Sequence, residues 1–345
     1  MAWLFGDSFH HLAIGDLSKK WTQVPTTNTS IQSANPRFSG GKYLELTSSS
    51  GTIRKTVANS PTLIAGVAFY TSGVASNDLN IITFFDGSSE QISLRIAVGS
   101  QTLYVSRNGT TLATSTIGLN NATWYYIEFK ATIHNTAGAY AVRLNGVPVP
   151  GIPDATNVNT RGGTANNFAN VAGLNDGRTH LGSVFRYTDF YLLDNSGASL
   201  NDFLGDVRYD VLYPSGAGTY AQFTPSAGSN YENVDESPAN TTDYVTSTGD
   251  NQIDSYQFAD LSVSAATIHA VIVNAFAQKT DTGAKSLAIF CKASDGNETA
   301  GPDQVLGTSW LVYQRVLEQE PAAGGDRPWT VARVNGCEFG VKSRP

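Results

Sequence analysis

TWYYIEFKATIHNTAGAYAVRLNGVPV, residues 123–149, carries the alternation from which the fold class follows. Within 124–134, Tyr125, Ile127, Phe129, Ala131 and Ile133 fall on one side of an extended chain. Tyr126, Glu128, Lys130, Thr132 and His134 fall on the other. A period of two with one apolar side marks a strand that buries a single face in a sandwich. Asn145-Gly146 then follows a second alternating run at 139–144. Asn-Gly supplies the positive φ angles of a two-residue hairpin turn, so the chain returns along Val147–Val149.

The same period extends outward in both directions. It predicts strands at 42–47, 52–57, 62–70, 80–85, 91–98, 102–107, 111–115 and 183–193, with a second hairpin turn at Asn108-Gly109. No sustained helical stripe occurs in 1–213, and short helical turns are expected only near 166–172 and 198–204. From Pro214 to Pro238 the texture changes to Gly, Ser, Pro, Asn and Tyr, which reads as a boundary. Alternation resumes at 266–277, where Ile268, Ala270, Ile272 and Phe276 share a face. It continues at 285–292, 309–316, 329–334 and 337–342. The expected organisation is all-β, with one sandwich over 1–213 and a second, smaller C-terminal β-sandwich over 214–345 that serves assembly contacts.

Composition agrees with this and narrows the function. A chain of 345 residues with 41% hydrophobic and 15% charged residues builds real cores and exceeds one ordinary domain. The net charge of −7 comes without a Lys/Arg cluster, which argues against nucleic acid as a partner. No apolar run approaches the ~20 residues of a membrane helix, so no membrane insertion is expected. Residues 1–20 show no basic region followed by an apolar one, so the reading is synthesis in a cytosol with release by another route, such as lysis. Cys291 and Cys337 cannot staple a chain of this length. Cys291 alternates in phase with Leu287 and Ile289 and reads as a buried thiol, with a Cys291–Cys337 disulfide as the alternative.

The motifs that could carry chemistry are sparse. Phe5-Gly6-Asp7-Ser8 imitates the serine block of SGNH-type hydrolases, and Gly173-Leu174-Asn175-Asp176 imitates their oxyanion block. That chemistry needs a His with an Asp three residues before it, and neither His180 nor His269 has one. Phe5–Ser8 therefore reads as a polar turn before the first strand. Paired carboxylates of a glycosidase are also missing. Glu318 and Glu320 stand at strand spacing, but they precede Pro321 and read as a solvated strand end. His10, His11, His134, His180 and His269 form no spaced ligand set. Asp176, Asp189, Asp194 and Asp202 are loose candidates for calcium that read as ordinary surface acids. No catalytic, cofactor or metal residue is assigned. Trp124, Tyr125 and Phe129 read as sandwich packing in preference to a sugar-binding surface.

Two sets of residues carry a family resemblance. Thr123–Lys130 followed by Tyr140–Val149 resembles the laminin-G or concanavalin A-like jelly roll. Asp7–Leu12 with Lys20-Trp21 is similar to its opening, and Asp189–Asp194 to its closing strand. Asn201-Asp202-Phe203-Leu204-Gly205-Asp206, then Tyr231, Val234-Asp235-Glu236, Trp329 and Glu338–Val341, resembles structural proteins of tailed phages and prophages. The resemblance implies a non-enzymatic component of a bacteriophage virion, on the tail, baseplate or fibre or decorating the capsid. It would be assembled in the bacterial host cytoplasm as a homo-oligomer with other virion proteins as partners and no cofactor. The alternative is recognition of a host surface glycan by the jelly roll. A lytic or depolymerising enzyme ranks last, for want of a nucleophile system or carboxylate pair.

Overall fold

The computed structural model describes residues 2–48, 51–175 and 180–345. It divides into two compact units, Met1–His10 with Ile14–Tyr209, and His11–Ala13 with Asp210–Pro345. Both are built from antiparallel strands, so the all-β class expected from the period of two is the class observed.

In the first unit, two sheets face each other. Among the described residues one has nine strands. Its main order is Val147–Pro148, Gly138–Leu144, Thr123–Thr132, Thr62–Thr71, His180–Asp194, Tyr43–Ser48 and Thr29–Gln32. Trp3–Asp7 pairs with the end of His180–Asp194, and Ala155–Val158 with Gly138–Leu144. The other sheet has six strands in the order Ile53–Ser60, Ala169–Leu174, Leu79–Asp86, Ser89–Ile96, Thr102–Arg107 and Thr110–Gly118. Their apolar faces meet in the core, where the Phe129 ring of one sheet stacks on Phe84 of the other at 5.2 Å. Both Asn-Gly turns have the positive φ pair a tight hairpin needs, 41° and 90° at Asn108-Gly109 and 51° and 79° at Asn145-Gly146.

Three local expectations fail here. Ala169–Leu174 is a strand, where 166–172 read as a helical turn. It lies between Ile53–Ser60 and Leu79–Asp86, and pairing on both edges overrides weak local preference. The 198–204 stretch contains no helix, and side chains tether its end to the sheet instead. Trp3–Asp7 is itself a strand, where a turn was expected.

The second unit is a smaller two-layer arrangement. One sheet orders Pro214–Ala221, Ile253–Phe258, Glu338–Arg344, Ser286–Lys292 and Glu298–Ala300, with Gln304–Val305 also on Ser286–Lys292. The pair Val271–Ala277 and Leu311–Leu317 packs Val273, Ala275 and Tyr313 against Leu287 and Ile289 of that sheet. Pro214–Ala221, inside the stretch read as a boundary, is a strand. Residues 329–334, expected as a strand, give the short helix Val331–Asn335, whose N-cap Thr330 accepts a bond from the Arg333 amide. Cys291 and Cys337 are both buried free thiols in one apolar cluster with Trp329 and Phe339. No helix among the described residues is long and apolar enough to cross a membrane.

Candidate functional site on the six-stranded sheet

In the six-stranded sheet, Ile82, Phe84, Ile92, Leu94, Leu103 and Val105 are buried in the sandwich. The residues between them face outward, and they are polar. Strand register sets Arg54, Gly173, Thr83, Ser93, Ser106 and Thr111 opposite one another in a row across all six strands. Five inter-strand steps of about 4.8 Å make that row about 24 Å long. A parallel row holds Asn80, Arg95, Tyr104 and Thr114, and on the other flank Val171, Phe85 and Glu90 line up.

These side chains lock one another. Arg95 Nη2 donates to both Glu90 oxygens at 2.7 and 2.9 Å, and its Nε donates to Ser93 Oγ at 2.8 Å. Ser93 Oγ in turn donates to Glu90 Oε1 at 2.8 Å. Asn80 Nδ2 reaches Thr83 Oγ1 at 3.1 Å and Glu90 Oε2 at 3.4 Å. Tyr104 donates its phenol hydrogen to Asp78 Oδ2 at 2.6 Å. Burial and the Asp78 carboxylate push the Tyr104 phenol up to about 12, so it is a fixed donor at neutral pH. Burial alone would lower the Arg95 pKa, but the Glu90 charge and hydrogen bonds outweigh it and hold it raised. With one tenth or less of each residue exposed, Thr83, Ser93, Arg95 and Asn80 form a recessed, pre-ordered polar floor.

Arg54, at the end of the row, differs. Its guanidinium sits 4.1 Å from the Phe85 ring centroid, a cation–π contact, and burial lowers its pKa. Its Nε is buried without a hydrogen-bond partner, and no carboxylate pairs with it among the described residues. An unpaired guanidinium at the end of a polar row is a ready partner for an anionic oxygen.

The residues singled out in the sequence lie elsewhere. Asp7 is a buried anchor: Lys20 Nζ lies 3.3 Å from it, Trp21 Nε1 donates to it at 2.7 Å, and the Phe9 amide at 2.9 Å. Ser8 is buried and accepts the His10 amide, so Phe5–Ser8 presents no nucleophile. His10 is buried and accepts the Lys42 amide, with its pKa lowered by burial. His134 Nδ1 accepts the Ala137 amide in a turn, and the buried His180 ring meets Phe185 edge-on. Asp176 lies outside the described residues. Asp189 is buried against Arg37, Asp194 caps Ser196 and Asp202 meets Lys130, so these three acids do not converge. Glu320 corrects the solvated strand end: it is buried and accepts from Arg327 Nε at 2.6 Å and Ser294 Oγ at 2.5 Å. Phe129 packs the core as expected. Trp124, by contrast, is on the outer side of the nine-stranded sheet, where it contacts Tyr43 and Tyr70 and the Arg186 guanidinium lies over both tyrosines. The polar row was missed in the sequence, although Thr83, Ser93, Arg95 and Tyr104 are the polar half of the alternation that revealed their strands.

No family model and no curated protein matches the chain. Solved structures do match. The alginate lyase Aly36B gives a TM-score of 0.41 at 8% identity, over 56% of this chain and 97% of that chain. The cellulose induced protein Cip1 gives 0.36 at 16%, over 49% and 86%. Trypanosoma rangeli sialidase with 2,3-difluorosialic acid gives 0.35 at 12%, over 48% of this chain and 27% of that one. Such likeness shows the jelly-roll β-sandwich fold alone. The expectation of a non-enzymatic virion component is corrected here: the structures to which the chain is similar include alginate lyases and sialidases. The expectation that the chain is no enzyme is corrected with it: the structures to which the chain is similar include alginate lyases and a sialidase.

Proposed function

We propose that this protein engages a carboxylate-bearing glycan chain across the outer face of its six-stranded sheet. The observation that carries this reading is Arg54, a half-buried guanidinium stacked on Phe85, with an unpartnered Nε and no carboxylate partner among the described residues. Beyond it runs a row about 24 Å long of fixed donors and acceptors, a length suited to several linked rings. Arg95 donates to ring oxygens and hydroxyls, while the Tyr104 oxygen, Glu90 and Asp78 accept, and their mutual bonds order them before a ligand arrives.

The test titrates oligomers of a polyuronate and of a neutral glucan against the wild type and Arg54→Ala, with released reducing ends measured in parallel. Binding of the uronate, weakened about tenfold to hundredfold in Arg54→Ala at unchanged melting temperature, is the expected result. Reducing ends that appear in the wild type would extend the role from recognition to cleavage. Equal affinity for the neutral glucan, or an Arg54→Ala variant that binds as the wild type does, overturns the proposal.

A further inference from the structure

The segment Asn201–Asp206 borders a cavity on the nine-stranded sheet. The outward face of Thr123–Thr132 and Gly138–Leu144 carries a cavity of about 230 Å³. Register places Thr132 opposite Ala139 and Lys130 opposite Ala141, and the short side chains of Thr132, Ala139 and Ala141 leave the floor unfilled. Phe203 forms one wall, with the Arg143 guanidinium 5.0 Å from its ring centroid. The loop that carries Phe203 is tied down from below. The Gly205 amide donates to the buried Glu128 Oε1 at 2.8 Å, and the Leu204 amide to the Tyr191 hydroxyl at 3.3 Å.

The rim is charged and balanced. Arg143 makes two parallel bonds of 2.7 Å to the Asp154 carboxylate, and Lys130 Nζ lies 3.2 Å from Asp202 Oδ1. Two cations and two carboxylates leave no excess charge to reward an ionic ligand. Each head keeps spare capacity: Lys130 has further N–H groups, and the carboxylates have further lone pairs. Asp154 and Asp202 side chains are more than half exposed, so these groups face an entrant. The volume holds about eight waters at ~30 Å³ each, which suits one ring and not a chain. An aromatic wall, an alanine floor and a rim of paired donors and acceptors together suit a ring with one apolar face and hydroxyls at its edge.

We propose that this cavity binds a single neutral pyranose unit, separately from the Arg54 face. This cavity stands apart from the six-stranded sheet and its glycan site, and the test keeps the two apart. Alanine-methyl-labelled full-length protein is titrated with methyl β-glucopyranoside, methyl β-galactopyranoside, methyl α-mannopyranoside and glucuronate, with Ala139 and Ala141 as reporters. At least one neutral glycoside should shift both methyls saturably and more strongly than glucuronate. Phe203→Ala should weaken that binding about tenfold. Ala141→Leu, which fills the floor and removes no contact, should abolish the shift at Ala139, whereas Arg54→Ala should leave both reporters responding. Silence with every neutral glycoside, a response to glucuronate alone, or undiminished binding in Ala141→Leu overturns the proposal.

Discussion

Tyr191 lies directly over Gly66: a Cβ at position 66 would overlap the tyrosine ring. The two are register partners in adjacent strands, Thr62–Thr71 and His180–Asp194. The ring occupies the space a side chain would take, and its phenol donates to the buried Glu128 at 2.5 Å. Gly66 is thus required for a close approach and not for a turn. Gly66→Ala is expected to destabilise the protein by about 3 kcal/mol through overpacking, measured by denaturant unfolding. Tyr191→Phe is expected to cost about 1–3 kcal/mol, because among the described residues Glu128 then keeps only the Gly205 amide.

Glu90 and Arg95 form a bidentate pair with side chains 15% and 8% exposed. Glu90→Gln strands the Arg95 charge in a recessed site, with an expected loss of about 3 kcal/mol. The paired change Glu90→Gln with Arg95→Met should recover part of that loss. A double variant no more stable than Glu90→Gln would show that the pair does not share one energy term.

Lys55 provides a pH test. Burial, then the charge of Lys20, pulls its pKa from 10.5 down to about 8, with Nζ held over the Phe5 ring at 4.5 Å and donating to the Lys20 carbonyl at 2.6 Å. Between pH 8 and 10.5 the unfolded chain binds the Lys55 proton more tightly than the folded one. Folding stability from this group therefore rises with pH across that window, by up to about 3 kcal/mol, and is lost as pH falls through 8. In Lys55→Met this contribution to the slope should vanish. Identical pH profiles for the two proteins would contradict the assignment.

Cys291 and Cys337 share an apolar cluster, and the neighbouring Cys291 thiol together with burial pushes the Cys337 thiol well above the ordinary cysteine range. Since the thiolate is the reactive form, neither should react with a thiol reagent in the native protein, and both should react in guanidinium. Rapid native labelling at either position would overturn this.

Ser8→Ala tests the hydrolase-like block. Ser8 is buried and its Oγ accepts the His10 amide, so any glycan cleavage detected in the wild type should persist unchanged in the variant.

The local state of most of the chain is legible in its residues alone. The period of two at 102–107, 124–134 and 139–144, and the Asn-Gly pairs at 108 and 145, are local physics: side chains alternate along a strand, and Asn-Gly tolerates positive φ. Local signals also set the limits. Ala169–Leu174 has little strand propensity of its own and is a strand because two partners pair with it, and Val331–Asn335 takes its helix from the Thr330 cap. The candidate site, by contrast, exists only once the strands pair. Arg54, Gly173, Thr83, Ser93, Ser106 and Thr111 come from six strands, and their alignment depends on inter-strand register. A slip of one residue would send every one of these side chains into the core, and register is specified by what both faces bury, not by any single stretch.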